Sequence, residues 1–322
     1  MTEKSGDVSK RSPFANCIFL SGATASGKTS LGVRAAKEID AEIVSLDSMA
    51  IYRGMDIGSA KPTLEERDGI PHHMIDVADP REKYSLAEYL KGAEEAVSII
   101  EGRGKRALFV GGSSLYLKAI LFGFCETPDA DQALRDDLLR KEESAPGSLW
   151  HELTEIDPKA ATRLHPNDLR RVVRAIEVYR LTGKPLTDRQ TQFDGPPLVD
   201  PRRVFILSWP REELYRRINR RVEQMALDGF LEEARGLEDA GITLGPTAGM
   251  AAGYREMAAV LHGKATLEEA IERTAMSTRR LAKRQETWFR SFLEQGAQRI
   301  DAFDKTLEEL CRELVDAINK LQ

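Results

Sequence analysis

The chain has 322 residues, 41% hydrophobic and 31% charged, with 47 Lys and Arg against 52 Asp and Glu for a formal net charge of −5. Those proportions describe a globular chain able to bury a core; they exclude a disordered polymer and a protein basic over its whole surface, but not one with a local arginine stripe for nucleic acid. At about 150 residues per domain the length suggests two units, one inserted in the other, and no apolar run approaches the roughly 18 residues of a membrane span.

The first 17 residues lack the apolar centre of a signal peptide and read as a short loose tail. Asn16 to Ser21 is a short apolar run stopped by Gly22, the pattern of a buried parallel strand. A helix is predicted from Lys28 to Ile39, a second strand over Glu42–Ser45 and a loop-rich stretch through Gly54, Pro62, Pro71 and Pro80. A helix over Leu86–Ile100 and a third strand over Ala107–Val110 follow, the strand running into Gly111-Gly112. This alternation predicts an α/β fold, a doubly wound parallel sheet of the P-loop type. From about Asp129 to Gln192 the pattern is helical and charged with no strand candidate, so a helical insertion is expected. The expected division is a first part of the α/β core over 14–127, an α-helical insertion domain over 128–195 and a second part of the core over 196–322. The last part opens on a strand at Arg203–Leu207 and continues with helices over 211–226, 230–240, 248–262 and 266–294. A short apolar piece at 298–300 and a final amphipathic helix over 307–321 close it. Cys17, Cys125 and Cys311 lie far apart and form neither a disulfide framework nor a CxxC zinc site, the usage expected of a reducing cytoplasm.

Gly22, Ala23, Thr24, Ala25, Ser26, Gly27, Lys28 and Thr29 match G-x-x-x-x-G-K-[ST] in full, with a strand before and a helix after. Backbone amides turned around an anion, the positive end of the helix and the Lys28 ammonium suit a diphosphate or polyphosphate, and the Thr29 hydroxyl suits Mg²⁺. A phosphoryl-transferring enzyme would next need an apolar strand ending in a metal-binding Asp, yet the third strand ends in Gly111-Gly112. The strand-end carboxylate is Asp47, on the second strand. In a doubly wound sheet that places it beside the phosphate loop, where it either orders an acceptor group and takes its proton or caps the next segment with Ser48 as partner. Arg217 and Arg221, four apart, share a helix face. His72-His73 has no further ligand at metal spacing and reads as structural.

Beyond the phosphate loop, the segments Leu46–Pro62, Pro71–Asp76, Val110–Tyr116, His165–Arg171, Arg174–Glu177, Gly253–Arg255 and Ala282–Arg290 together closely resemble the tRNA dimethylallyltransferase (tRNA isopentenyltransferase) family of bacterial type. The matches run from about Cys17 to Arg290. Departures are small: Ala23 stands where the family usually has Pro, Ser113 where it usually has Thr, and the zinc finger of the eukaryotic branch is missing. The resemblance implies transfer of a dimethylallyl group from dimethylallyl diphosphate to N6 of the adenine 3′ of the anticodon, with Asp47 as base, Thr24 orienting the amine and Ser113 lining the same channel. It implies that Arg221 joins the loop on the diphosphate, against the alternative of a solvated arginine. It assigns tRNA contact to Asp47, Ser48, Met49, Ala50, Arg170, Arg171, Arg174, Gly253, Tyr254, Arg255, Lys283, Arg284, Gln285 and Arg290.

Local charge fits such a partner. From Arg163 to Arg189 there are seven Lys and Arg against three Asp and Glu, and from Arg273 to Arg290 six against one; two basic segments on an acidic chain suit an RNA-facing stripe, although either alone suits a solvated helix. Trp288 and Phe289 suit base stacking or core packing. The expected partners are a tRNA anticodon stem-loop, dimethylallyl diphosphate and Mg²⁺, with no membrane and a monomeric chain. Two other functions stay open on the residues: a small-molecule kinase using the same loop and Asp47, and a non-catalytic, nucleotide-switched RNA-binding protein.

Overall fold

In the computed structural model, which describes residues 12–125, 127–190 and 195–321, the apolar runs become strands of one parallel sheet. The tail before Ser12, and Thr191 and Gln192 at the end of the expected helical stretch, lie outside the described residues. The chain runs β1 (Ile18–Gly22), α1 (Lys28–Glu38), β2 (Ala41–Ser45), α2 (Leu64–Arg67), β3 (His72–His73), α3 (Leu86–Gly102), β4 (Arg106–Gly111) and α4 (Ser114–Phe122). Five helices follow: α5 (Gln132–Ser144), α6 (Ser148–Ile156), α7 (Pro158–Arg163), α8 (Leu169–Thr182) and α9 (Leu186–Arg189). It then continues through β5 (Val204–Ser208), α10 (Arg211–Leu227), α11 (Phe230–Asp239), α12 (Tyr254–Leu261), α13 (Leu267–Glu294), β6 (Gln298–Asp301) and α14 (Leu307–Asn319).

Among the described residues the sheet has six strands, all parallel, in the order β3-β2-β4-β1-β5-β6. Side chains alternate along each strand. Ile18 and Leu20 of β1 join Leu108 and Val110 of β4 beneath Leu31 and Ala35 of α1 and Leu310 and Leu314 of α14. Phe19 and Phe109, one residue out of phase, stack at 4.9 Å on the opposite face, and α3 packs along β2 and β4. In this order β4 lies between β2, which leads to Asp47, and β1, which leads to the phosphate loop.

The chain divides into two compact units, one made of the residues up to Leu121 with those from Leu198 onward, the other of Phe122–Pro197. The second unit is helical, with Leu138, Leu149, Leu153, Val172, Val173 and Ile176 at its centre. Its helices α5, α7 and α8 start on Asp131, Asp157 and Asp168, whose carboxylates accept the N–H of Leu134, Ala160 and Arg171.

The loop-rich stretch after β2 is anchored: Ile51, Tyr52 and Met55 are fully buried against Phe230 and Leu237 of α11 and Met257 of α12. Two local features differ from the sequence expectations. A helix over Ser114–Phe122 follows β4, where no helix was expected, and its residues are apolar almost throughout, so it offers no amphipathic period. The helix expected over 248–262 is broken, with a 3₁₀ turn at Ala248–Met250 and α12 beginning only after Gly253, which sits at φ 99°.

Candidate active site

The phosphate loop joins the buried end of β1 to the first turn of α1. Ala25 at φ 63° and Gly27 at φ 90° take left-handed backbone, and Ser26 N–H closes the turn on Ala23 O at 3.2 Å. Alternating handedness of this kind turns successive amides toward one point and makes a nest for an anion. Two side chains hold the loop from outside. The Trp209 indole N–H donates to Ser26 O at 2.8 Å, and Arg217 Nε donates to Ala25 O at 2.9 Å, with the guanidinium 4.2 Å from the Trp209 ring.

A third brace comes from α13. Gln285, buried, accepts the Thr24 N–H on Oε1 at 2.9 Å and donates from Nε2 to Gly112 O at 2.8 Å. One amide thereby ties the loop to the end of β4.

The glycines at that strand end explain how Asp47 reaches the site. Leu46 N–H donates to Val110 O at 2.9 Å and Ser113 N–H donates to Leu46 O at 3.0 Å, so the chain leaving β2 crosses directly over the end of β4. A Cβ on Gly111 would lie 2.0 Å from Leu46 O, and one on Gly112 would lie 2.6 Å from Gln285 Nε2. The Gly-Gly pair at the end of β4 is therefore the gap that lets the chain leaving β2 pass over that strand end.

Of the two roles that the sequence left open for Asp47, the capping one is visible in its hydrogen bonds. Its Oδ1 accepts Met49 N–H at 2.8 Å and Ala50 N–H at 3.4 Å, capping the next turn, although Ser48 is not the partner. Oδ2 has no hydrogen-bond partner among the described residues.

These groups line one cavity of about 620 Å³: Thr24, Lys28, Thr29, Asp47, Ser48, Met49, Ala50, Ser113, Arg221, Arg255, Arg284 and Gln285 all face it. The loop after β2 adds Gly58, Ser59, Ala60 and Pro62, and apolar side chains Ile218, Val222, Met225, Met250 and Leu281 complete the wall. Burial draws the Lys28 ammonium down to about 8; Asp47 opposes that shift and Arg221 adds to it. Burial likewise lowers Arg221, again against the attraction of Asp47, and Arg221 Nη2 donates to Ala60 O at 3.4 Å. Two half-desolvated cations and a ring of amides make a strong anion site.

Thr29 Oγ1 has no hydrogen-bond partner among the described residues, and no group of three His, Cys, Asp or Glu is placed there to cage a metal. That donor set fits a cation such as Mg²⁺, which takes one protein oxygen and completes its shell with phosphate oxygens and water.

Several residues that the resemblance assigns to tRNA make internal contacts. Tyr254 is buried and donates its hydroxyl to Glu233 at 2.7 Å, Gln285 braces the loop, and Gly253 is buried with it. In the helical unit, Arg174 donates to Glu177, to Thr127 Oγ1 at 2.6 Å and to Pro128 O at 2.7 Å, because the buried Glu177 carboxylate needs cationic partners and Arg135 supplies only part of them. Arg170 and Arg171 are exposed on that unit, Arg171 3.4 Å from Asp168. Arg255, Lys283, Arg284 and Arg290 are exposed. Phe289 is core, and Trp288 lies under Lys118 Nζ at 5.1 Å, so both aromatics are packing residues here. His72 Nδ1 donates to Ile70 O at 2.8 Å and His73 Nε2 donates to Glu42 Oε2 at 2.7 Å, so both imidazoles make structural contacts.

Trp209, the brace formed by Arg217 and the brace formed by Gln285 were not legible as such. The nearest sequence signal was an aromatic at the end of the strand that turned out to neighbour β1.

Comparison with known proteins agrees with this geometry. The model of the family described as IPP transferase matches residues 50–292, and that of isopentenyl transferase matches residues 15–79. The tRNA dimethylallyltransferase of Rhodopirellula baltica is 44% identical over 290 residues, covering 87% of each chain. The crystal structure of a tRNA isopentenylpyrophosphate transferase from Bacillus halodurans superposes with a TM-score of 0.67 at 39% identity, covering 95% of this chain and 97% of that one. A eukaryotic dimethylallyltransferase acting on tRNA gives a TM-score of 0.74 at 29% identity, covering 89% of this chain and 74% of its own. With a family model matched over most of its length and relatives this similar end to end, the chain belongs to the IPP transferase family.

Proposed function

We propose that this chain transfers the dimethylallyl group of dimethylallyl diphosphate to N6 of the adenine 3′ of the anticodon in tRNA, releasing diphosphate. The observation that carries the reading is the single cavity lined both by an anion cradle and by Asp47, whose Oδ2 has no hydrogen-bond partner among the described residues. The cradle of loop amides with Lys28 and Arg221 holds the donor's diphosphate and stabilises the charge it gains as the C1–O bond breaks, the electron pair leaving on the diphosphate oxygen. The adenine N6 lone pair forms the new bond to C1, and the proton N6 must shed passes to Asp47 and then to solvent. Thr24, which lines the same cavity, orients the amine, and Ser113 lines its approach. Mg²⁺ at Thr29 would add Lewis-acid neutralisation of the diphosphate. The target base has to leave its stack to enter the cavity, at a cost of a few kcal/mol that contacts elsewhere on the RNA offset. No phosphoryl group moves, so a strand ending in Gly-Gly instead of a metal-binding Asp suits the chemistry.

The test is incubation of the protein with an anticodon stem-loop RNA, Mg²⁺ and labelled dimethylallyl diphosphate, with ATP in parallel. Label enters the RNA from the prenyl donor, and ATP transfers no phosphate to any acceptor. Asp47→Asn keeps an acceptor for Met49 and Ala50 but removes the anionic oxygen, and it lowers kcat by about 100-fold or more while RNA and donor still bind. Full activity in that variant would overturn Asp47 as base, and phosphate transfer from ATP would favour the kinase reading.

A further inference from the structure

Glu233 stands in the first turn of α11, where a carboxylate ordinarily serves its own helix, yet α11 has no side-chain cap. Its oxygens are given to a different segment. Oε2 accepts the N–H of Asp56 at 2.8 Å and of Ile57 at 2.7 Å; Oε1 accepts the N–H of Gly58 at 3.0 Å and the Tyr254 hydroxyl at 2.7 Å. Three consecutive amides and a phenol on one carboxylate form a set of charge-assisted bonds, each about twice as strong as its neutral counterpart. Burial and the nearby carboxylate push the Tyr254 phenol far above its usual range, so it remains a donor. Packing agrees: a Cβ on Gly58 would lie 2.3 Å from the Phe230 ring and 2.6 Å from that of Tyr254, so the segment is seated against both rings.

The segment held in this way is part of the cavity wall. Gly58, Ser59 and Ala60 face the cavity, and Ala60 O receives Arg221 Nη2. Tyr254 is followed directly by Arg255, which also faces the cavity. We infer that Glu233 is a positioning residue for the donor site: it touches no substrate, and through the Asp56–Ala60 segment it fixes the guanidinium of Arg221 against the diphosphate. The inference rests on the proposed reaction for its kinetic readout, but not for its binding readout.

Glu233→Gln is nearly isosteric, but its amide nitrogen meets backbone donors, so at least one of the four bonds is lost. Expected in this variant are a KM for dimethylallyl diphosphate raised about tenfold with kcat within about threefold, and faster hydrogen exchange at Asp56, Ile57 and Gly58 with the sheet amides unchanged. Affinity for inorganic diphosphate with Mg²⁺, measured by calorimetry, falls by about the same factor as KM rises. Tyr254→Phe removes one bond and leaves the ring in place; a KM rise of about two- to fourfold is expected there, and it decides the matter if the Gln variant folds poorly. Loosened amides at 56–58 with unchanged diphosphate affinity, or a fall in kcat at constant KM, would overturn the inference. If the wild-type protein transfers no prenyl group, the proposed reaction fails, and the calorimetric comparison still tests Glu233.

Discussion

Lys28 faces the cavity with its charge disfavoured, because burial outweighs the attraction of Asp47, and Arg221 works in the same direction as burial. A diphosphate reverses that balance: with an anion in the cradle, the ammonium regains its partner and its affinity for the proton rises. Binding of dimethylallyl diphosphate therefore takes up a proton in the window above about 8, where the empty site has lost it and the filled site keeps it. Calorimetry at pH about 9 in buffers of different ionisation enthalpy should show uptake approaching one proton, and Lys28→Met should show none. A heat that does not depend on buffer would contradict this picture of the cradle. The same shift has a sign for stability. The folded value lies below the ordinary lysine value of 10.5, so the cost of burying the charge is present below about 8 and is relieved as pH rises toward 10.5. At this scale the sequence was informative where function is local. Eight consecutive residues announce the cradle, and Asp47 is marked by its place at a strand end. The braces were hidden because they are tertiary: Gln285 and Thr24 are 261 positions apart, and Glu233 and Ile57 are 176 apart. Nothing in the local pattern around a helical Gln or Glu reveals which distant amide it meets.

Strand and helix periodicity located most elements to within a few residues, since runs such as Phe205–Leu207 are apolar on both faces and stop sharply. Strand order was not legible, because pairing is decided by contacts between remote segments. The crossing of β2 over the end of β4 is the element-scale event that builds the site, and it depends on the absence of side chains at Gly111 and Gly112. Gly111→Ala would force a methyl group into the Leu46 carbonyl, against backbone that has no rotamer to yield. A loss of stability of about 1–3 kcal/mol or more is expected from that overlap, with activity reduced further than stability because Leu46 carries Asp47 with it. Gly102 provides the control. At the end of α3 an added Cβ meets nothing within 4 Å, so Gly102→Ala should keep full activity and match or exceed the wild-type stability. Urea melts and initial rates on both variants check the pair; equal behaviour of the two would mean that the close approach at Gly111 does not shape the site.

On the scale of the whole molecule, an acidic chain has to attract a polyanion through a local excess of positive charge, and the two basic segments read from the sequence differ in how much of that charge is available. In the helical unit, Arg174 serves Glu177, Arg180 donates to Glu152 and Arg171 lies beside Asp168, so much of the excess is consumed inside the unit. Along α13 the exposed cations Arg280, Lys283, Arg284 and Arg290 have no carboxylate partner among the described residues, and Arg279 donates to the neutral Asn219. Neutralised arginines release few counterions on meeting phosphate, whereas unpaired ones release nearly one each. Binding of tRNA should therefore weaken steeply with salt, while binding of dimethylallyl diphosphate in its cavity changes less. Replacing Lys283 and Arg290 together by Gln should reduce the slope of log affinity against log salt by roughly 1.5, at about 0.7–0.9 per lost phosphate contact. Arg174→Gln should leave that slope unchanged and lower the melting temperature instead, because it removes a partner from a fully buried carboxylate. Filter binding across a salt series separates the two kinds of arginine. An Arg174 variant that lost slope while the α13 pair did not would move the RNA contact to the helical unit.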